Sequence, residues 1–506
     1  MRDLVVLGLL SLLAQVVVLR ELGAAFFGIE LVYVVALAIW LVGTAAGALT
    51  GHRIGSGGRF TRAAFAAAGI LTVVDVVLIR DLHRLLGGVP GAYLPFGRQI
   101  LGIGIAVVPL GLVFGALFVW TAGAGRHGGA SLSQSYAAES IGALSGGVWA
   151  TTAVRMGQST FDLAVGAALI GAAAAVAGVR TLGRGVRLGA AVSLALAGLV
   201  AFAVSDSVDL ALMRWGSPGL AASIDTPYGR VSVSRHDGQV AVFGNGALLY
   251  DNEGTSAEVF AALAVIQHAN PRRCLVLGGG PEGVVSELGR RGAEVAGHIE
   301  IDRRADGLVS AFVRRPDDVP AVYGDPRAEL ARLGGDFDLV VVAMPPPVSG
   351  EASRFYTREF FDLARRALAP DGVLALRLPA SENLWSVPMR LQNASVYRSL
   401  QDVFTHVSPV PGPTLYLFAS DAGLPDDGTA AAGRLVARPG SGRLATPAYV
   451  RFLYDNDRRG EVIRLLESSV VAGTTDARPT CYRHAMLLWL SKFYAALASE
   501  GFWSLT

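Results

Sequence analysis

The sequence predicts an α-helical transmembrane bundle of about seven spans, followed by a small β-hairpin unit and a Rossmann-like α/β domain. Three observations predict it. Long apolar stretches crowd residues 1–205. Short alternating runs are then punctuated by Asp237-Gly238 and Asn245-Gly246, dipeptides that close tight hairpins. Finally, Cys274-Leu-Val-Leu-Gly-Gly-Gly-Pro-Glu-Gly283 is followed seventeen residues later by Glu300-Ile-Asp302. That order reads as a strand, a glycine turn, a helix and a second strand ending in acid.

Composition narrows the function classes. With 506 residues, 52% hydrophobic and 17% charged, the chain is too apolar for a single soluble domain. A net charge of +2 without a basic stripe or an aromatic-basic platform argues against a nucleic-acid partner. Cys274 and Cys481 offer no metal, redox or haem spacing. Cys274 opens a core strand and reads as a small buried hydrophobe, and a disulfide between the two stays open. The first apolar run continues into further spans without a small-residue cleavage site, so no cleavable signal is expected.

The spans are placed at 4–27, 31–49, 63–79, 100–122, 135–154, 161–179 and 188–204. Gly43, Gly47 and Gly51, and likewise Gly142 and Gly146, recur every fourth residue, a spacing that lets helix backbones approach in lipid. Arg20 and Glu21 interrupt the first span, Asp75 the third and Glu139 the fifth. Charge at mid-bilayer is costly enough that each should face protein or water. Arg20, Glu21 and Glu139 therefore form either an internal ion pair, Arg20 with Glu139 or with Glu21, or a polar binding or transport site. Loop arginines set orientation. Arg2, Arg53, Arg59, Arg62, Arg126, Arg180, Arg184 and Arg187 collect on one side, against Arg80, Arg84, Arg98 and Arg155 on the other. The bias puts the N-terminus in the cytoplasm, and seven spans then put the C-terminal half outside.

Residues 206–223 read as a linker, 224–255 as the hairpin unit, 256–420 as the α/β domain, 421–445 as a loose connection and 446–506 as a helical segment. Within the α/β domain, strands are expected at 274–277, 295–301, 319–323, 337–343, 373–378 and 414–419. Helices are expected at 256–268, 282–291, 355–368 and 391–403. The continuous apolar strands imply a parallel sheet covered on both faces. Residues 486–498 are apolar enough to dock on this domain or lie on a membrane.

Gly278, Gly280 and Gly283 satisfy the Gly-x-Gly-x-x-Gly pattern. The glycines allow close backbone approach, and an acid at the end of the second strand accepts hydrogen bonds from ribose hydroxyls. Glu300 is the first choice for that role and Asp302 the second. Asp325, past the third strand, either receives an adenine amino group or caps the following helix.

Several motifs carry a resemblance: Thr226-Pro-Tyr-Gly-Arg-Val231, the hairpin, Gly278–Gly283, Glu300-Ile-Asp302, Gly324-Asp325 and Phe355-Tyr-Thr-Arg-Glu-Phe-Phe361. Over about residues 223–420 the chain resembles the spermidine synthase (polyamine aminopropyltransferase) family. As a whole it resembles the bacterial membrane-fused spermidine synthase-like proteins, through Ala14-Gln15, Leu19-Arg20-Glu21, Phe27-Gly28, Tyr136-Ala-Ala-Glu139-Ser-Ile-Gly142 and Thr475-Asp-Ala-Arg-Pro479. The resemblance implies an S-adenosylmethionine-dependent methyltransferase/spermidine synthase-type fold. It also implies a bacterial cytoplasmic (inner) membrane location with multiple passes. Its ligand would be S-adenosylmethionine, decarboxylated S-adenosylmethionine or methylthioadenosine. The lipid bilayer is the implied partner, with a homo-oligomer or a second membrane protein left open.

The chain departs from that family at two places. The family's Asp-x-x-Asp-Pro loop after the fourth strand, which serves the attacking amine and the polyamine, reads Ala343-Met-Pro-Pro346-Pro347 here. The family's Gly-Gly-Gly-Asp-Gly-Gly turn carries Pro281-Glu282 instead. These departures imply a nucleoside cradle that has lost polyamine chemistry. Three alternatives remain: an active adenosyl-dependent transferase using Glu282, Glu351 or Asp476 as replacement acids, a transporter or assembly scaffold with a regulatory α/β domain, and a dehydrogenase, which the Gly324-Asp325 loop and the Phe355–Phe361 helix match less well than the transferase lineage.

Overall fold

The computed structural model describes residues 1–55, 58–88, 92–178, 183–217, 219–313 and 319–499. Val179, Arg180 and the end of the C-terminal segment, 500–506, lie outside the described residues. Seven long helices come first: α1 (Arg2–Ala25), α2 (Glu30–Ile54), α3 (Gly58–Leu85), α4 (Phe96–His127), α5 (Leu132–Met156), α6 (Thr160–Ala177) and α7 (Arg184–Gly216). Six of them are long and apolar enough to cross a membrane, and α5 is the exception to the expected seven. Its first turns carry Ser133, Gln134, Ser135, Glu139 and Ser140, which dilute the apolar run.

Small residues set the helix pairs. Gly142 and Gly146 of α5 meet Val5 and Leu9 of α1, so these two helices run in the same direction. On α2, Gly43 faces Gly111 and Gly51 faces Ala116 of α4, again in parallel. Gly69 of α3 faces Ala168 of α6, while Phe65 faces Gly171, so this pair is antiparallel. Side chains at the glycine positions would force the backbones apart, which is why the four-residue spacing matters.

The chain divides into two compact units, Met1–Gly238 with Val242–Leu249 and Gln239–Ala241 with Tyr250–Thr506. After α7, strands β1 (Leu220–Thr226), β2 (Gly229–His236), β3 (Gln239–Gly244) and β4 (Ala247–Asp251) form a four-stranded sheet in that order. Where a linker was expected, α7 runs on to Gly216 and β1 follows almost at once. Both hairpin dipeptides turn as expected: Asp237 and Gly238 have φ of 47° and 86°, and Asn245 and Gly246 of 47° and 78°. Positive φ at both central residues matches the right-handed twist of the flanking strands.

The α/β unit proceeds α8 (Thr255–Val265), β5 (Cys274–Leu277), α9 (Val284–Arg290), β6 (Val295–Glu300), α10 (Arg303–Ser310), β7 (Val322–Tyr323), α11 (Pro326–Leu330), β8 (Phe337–Val342), α12 (Gly350–Ser353), α13 (Arg358–Ala367), β9 (Leu368–Pro379), α14 (Val387–Gln401), β10 (His406–Val410) and β11 (Thr414–Ser420). Its seven-stranded sheet has the order β10-β11-β9-β8-β5-β6-β7. Strands β5 to β9 pair in parallel, but β11 is antiparallel to both neighbours, so the sheet is mixed rather than parallel throughout. This is a Rossmann-like fold with a reversed strand near one edge. Strand β10 was not expected. It contains Pro409, which an edge strand tolerates because its missing N–H need not join a ladder. One apolar face of the sheet packs on α8 and α9, the other on α13 and α14.

The remaining helices are α15 (Gly428–Val436), α16 (Pro447–Asp455), α17 (Asp457–Ser468) and α18 (Thr480–Ser491). Helix α15 lies inside the stretch read as a loose connection. Helix α18 packs on α14 and buries Cys481, Ala485 and Trp489, so the apolar tail docks on the α/β unit. Both cysteines are free thiols in separate parts of the core, which answers the open disulfide.

Candidate functional site

The glycine turn leaves the C-terminal end of β5. Gly278 and Gly279 both adopt φ of +73°, a region closed to most side chains. Gly280 lies against His298 and Glu300, where a Cβ would clash with the imidazole ring. Glu300, at the end of β6, accepts the Gly280 N–H through Oε1 at 3.0 Å, and the same oxygen lies 3.1 Å from His298 Nε2. Its Oε2 has no protein donor among the described residues. The structure thus brings together the turn and the first-choice acid, and leaves one carboxylate oxygen available for hydroxyl donors.

The other two acids are engaged. Asp302 caps α10, its Oδ1 accepting from Arg304 N and Ala305 N. Asp325 caps α11 through Arg327 N, and Arg354 also grips both its oxygens at 2.8 and 3.1 Å. Arg354 in turn lies 4.7 Å from the Phe355 ring centroid. An adenine amino group at Asp325 would have to compete with that guanidinium.

Among the replacement acids, Asp476 sits in the tail segment that folds back beside Asp325. Arg327 donates to both Asp476 oxygens at 2.8 and 2.7 Å, and Thr357 Oγ1 donates to Oδ1 at 2.8 Å. The hydrogen bond from Arg327 holds the Asp476 carboxyl below the ordinary aspartate range, against a smaller burial effect. Glu351 is exposed on α12. Glu282 is buried and locked to Arg377 of β9, with Nη1 donating to Oε1 at 2.6 Å and Nη2 to Oε2. Arg377 also donates to Ser256 Oγ and lies over the Phe260 ring. Burial alone would lower the Arg377 pKa, but the Glu282 charge and hydrogen bonds outweigh it and raise it.

The loop after β8 contributes no acid. Ala343 and Met344 are buried against Gly278 and Gly279. Tyr356, wholly buried, donates its hydroxyl to the Met344 and Pro345 carbonyls. Burial pushes that phenol well above its usual range, so it serves as a fixed donor.

In the helical unit, the expected polar group separates into two places. Glu21, 1% exposed, accepts from Arg80 of α3 and from Arg230 of β2, not from Arg20. Arg80 also donates to Asp209 of α7 at 2.6 Å. Arg230 reaches Asp225 of β1, which takes Thr160 N and Oγ1 at the start of α6. Burial would raise the Asp225 carboxyl, yet Arg230 outweighs it and holds the pKa well below the aspartate range. Arg20 donates to the Thr226 carbonyl at 2.7 Å. Glu139 is elsewhere: its backbone meets Gly8, thirteen residues before Glu21, which is roughly 20 Å along a helix rising 1.5 Å per residue. Neither expected pair, Arg20 with Glu139 or Arg20 with Glu21, is formed. Arg80, counted from sequence as a loop charge, is buried.

The residues that sequence reasoning missed are the arginines: Arg80, Arg230, Arg327, Arg354 and Arg377. Arg377 left a trace, a lone charge in the apolar run Leu374-Ala-Leu-Arg-Leu378. Arg80 and Arg230 left none, because their common partner lies 59 and 209 residues away.

Residues 253–414 match the spermine/spermidine synthase domain. The α/β half of this chain is a spermidine synthase-like domain. The polyamine aminopropyltransferase of Nitrosomonas europaea is 33% identical over 162 residues, 30% of this chain and 47% of that protein. Polyamine aminopropyltransferase 1 of Streptomyces coelicolor is 27% identical over 304 residues, 53% of this chain and 56% of that protein. The chain thus spans about half the length of the curated relatives it matches. A crystal structure of spermidine synthase in complex with the transition-state analogue AdoDATO aligns with 18% identity and a TM-score of 0.42, over 49% of this chain and 89% of that one.

Proposed function

We propose that the chain is an integral membrane protein whose spermidine synthase-like half keeps an adenosyl-type cradle and has lost polyamine aminopropyl transfer. One observation carries this reading: Glu282, the acid nearest the glycine turn outside Glu300, is locked to Arg377, while the Ala343–Pro347 loop supplies no carboxylate. A free alkyl amine has a pKa of roughly 10, like lysine, so transfer to it needs a base and a polycation needs anionic walls. Here it would meet a guanidinium already neutralising the local acid. The Gly278–Gly280 backbone and the open Oε2 of Glu300 suit ribose hydroxyls, which supports an adenosyl ligand. Such a ligand, when decarboxylated S-adenosylmethionine, supplies the aminopropyl group.

Membrane insertion is supported by six apolar helices and by the helix directions. Parallel α1/α5 and α2/α4 pairs with an antiparallel α3/α6 pair are what seven alternating crossings produce. On that count α5 also crosses, carried by its packing on α1. The loop arginines then favour a cytoplasmic N-terminus in a bacterial inner membrane, with the chain after α7 on the outer side.

Full-length protein in detergent micelles, titrated calorimetrically with methylthioadenosine and with both forms of S-adenosylmethionine, tests the cradle. Incubation with the decarboxylated donor and a diamine tests the chemistry. Binding without formation of a triamine is expected. Triamine formation would refute the loss of activity, and failure of all three ligands to bind would remove the cradle.

A further inference from the structure

Helix α3 buries a stripe through Thr61, Phe65, Ala68, Thr72, Ile79 and Leu82, and Asp75 lies on that stripe. Asp75 is 3% exposed, and its Oδ2 has no hydrogen-bond partner among the described residues. Nor does any described cation form an ion pair with it.

The donors around it are committed elsewhere. Thr72, one turn earlier, donates its hydroxyl to Ala68 O at 2.8 Å. Arg80 lies five residues on, about 7.5 Å along the axis, and its guanidinium is held by Glu21 and Asp209. Helices α1, α4, α6 and α7 pack against α3. On α1, Glu21 faces the two arginines, Arg20 the Thr226 carbonyl and Asp3 the Arg62 guanidinium. On α4, Arg98, Arg126 and His127 stand in the end turns, and Gln99 donates to Leu94 O. Asp162 of α6 caps its own helix at Ser159 through Oδ2, and its Oδ1, an acceptor, offers Asp75 no cation. On α7, Asp209 faces Arg80, Arg214 donates to the Leu220 and Ala221 carbonyls, and Arg187 and Asp206 lie on the remainder of the helix.

A bare carboxylate in such a place is not tolerated, because nothing replaces its lost hydration. Some cation must neutralise it, and the side chains present do not. We propose that Asp75 is a cation-binding carboxyl of the helical bundle and that its occupant is a proton. This inference is independent of the adenosyl cradle and survives its failure. It makes Asp75 an ionisable group in the bundle able to exchange its ligand without breaking a salt bridge, unlike Glu21 and Asp209.

A hydrophobic carbodiimide tests it on the full chain in detergent micelles. A protonated carboxyl adds across the reagent's C=N bond: the carboxyl oxygen bonds to the central carbon, the proton passes to nitrogen, and no group leaves. Peptide mass mapping at neutral pH should find the adduct on Asp75, with complete loss in Asp75→Asn. Labelling that sodium ions suppress at constant pH overturns the proposal in favour of a metal cation. Infrared spectroscopy decides where the reagent cannot reach. The wild-type minus Asp75→Asn difference should contain the C=O band of a protonated acid, and carboxylate bands in its place overturn the assignment.

Discussion

The two units of this chain treat buried acids differently. In the helical unit, Glu21 of α1, Asp209 of α7 and Asp225 of β1 are locked into one network by Arg80 and Arg230. In the α/β unit, Glu282, Asp325 and Asp476 each face a separate arginine, whereas Glu300 at the glycine turn keeps an open oxygen. The difference teaches where binding is still feasible. A network of charges holds helices and hairpin in register, whereas in the α/β unit each of these acids is tied to its own arginine. Beside the glycine backbone, Glu300 Oε2 is the carboxylate oxygen left open to a donor, while both Glu282 oxygens are taken by Arg377.

Glu21→Gln breaks the comparison hardest. It leaves two buried guanidinium groups facing one neutral amide, and removing one partner of a buried pair costs about 3–5 kcal/mol. Thermal unfolding of the full chain in detergent should show the largest destabilisation of the variants considered. If the melting temperature is unchanged, the network does not hold the helical unit together. The Asp225 carboxyl adds a pH dependence. Its folded pKa is depressed, so its contribution is complete above the unfolded value of about 3.9 and disappears only as pH falls through the lower folded value. Stability from this acid should stay constant between neutrality and about pH 5.

Glu282→Gln comes next, because Arg377 is less deeply buried than Arg80 and has Ser256 and the Phe260 ring for support. The loss expected is about 1.5–3 kcal/mol, the range for hydrogen bonds to charged groups. The double variant Glu282→Leu with Arg377→Met separates a structural lock from a catalytic acid. An apolar pair can replace a buried ion pair at little cost, so the double variant should recover most of the stability and still bind methylthioadenosine. Triamine formation by the wild type that disappears in the double variant would make Glu282 an acting acid and not a silenced one.

How far the sequence foretold these features depended on the range of the interactions. The hairpin turns were legible because Asp237-Gly238 and Asn245-Gly246 impose their own backbone geometry. The glycine turn and Glu300 were legible because both follow short apolar strands at a fixed spacing. Strand β1 was hidden, since Ala221, Ala222 and Ser223 give no alternation and Asp225 is needed for a partner in β2. The length of α7 was hidden too: Asp206 and Asp209 looked like an exit from the membrane, but Asp209 turns inward to Arg80. The fifth helix was placed as a span on its apolar stretch, although its polar first turns leave it short of the apolar character of the other six. Long-range ion pairs carry no local signature, so the pairing of the candidate acids could not be read before the fold brought the arginines to them.

Asp476→Asn gives the smallest effect and tests whether burial decides which acids matter. Its side chain is 44% exposed, so solvent screens the attraction to Arg327 despite the two-pronged geometry. Measured as a change in unfolding free energy, the loss should stay below about 1 kcal/mol. The sign with pH follows from the depressed folded pKa: the contribution is present above the unfolded carboxyl value and fades as pH falls through the folded one. Wild type and variant should therefore differ slightly but constantly from about pH 5 to 8 and converge in stronger acid. A loss as large as that of Glu21→Gln would mean that the tail segment anchors the α/β unit, and exposure would no longer rank the acids. A collapse of adenosyl turnover with stability unchanged would instead place Asp476 in the chemistry, and the carboxylate missing from the Ala343–Pro347 loop would have been replaced from the tail.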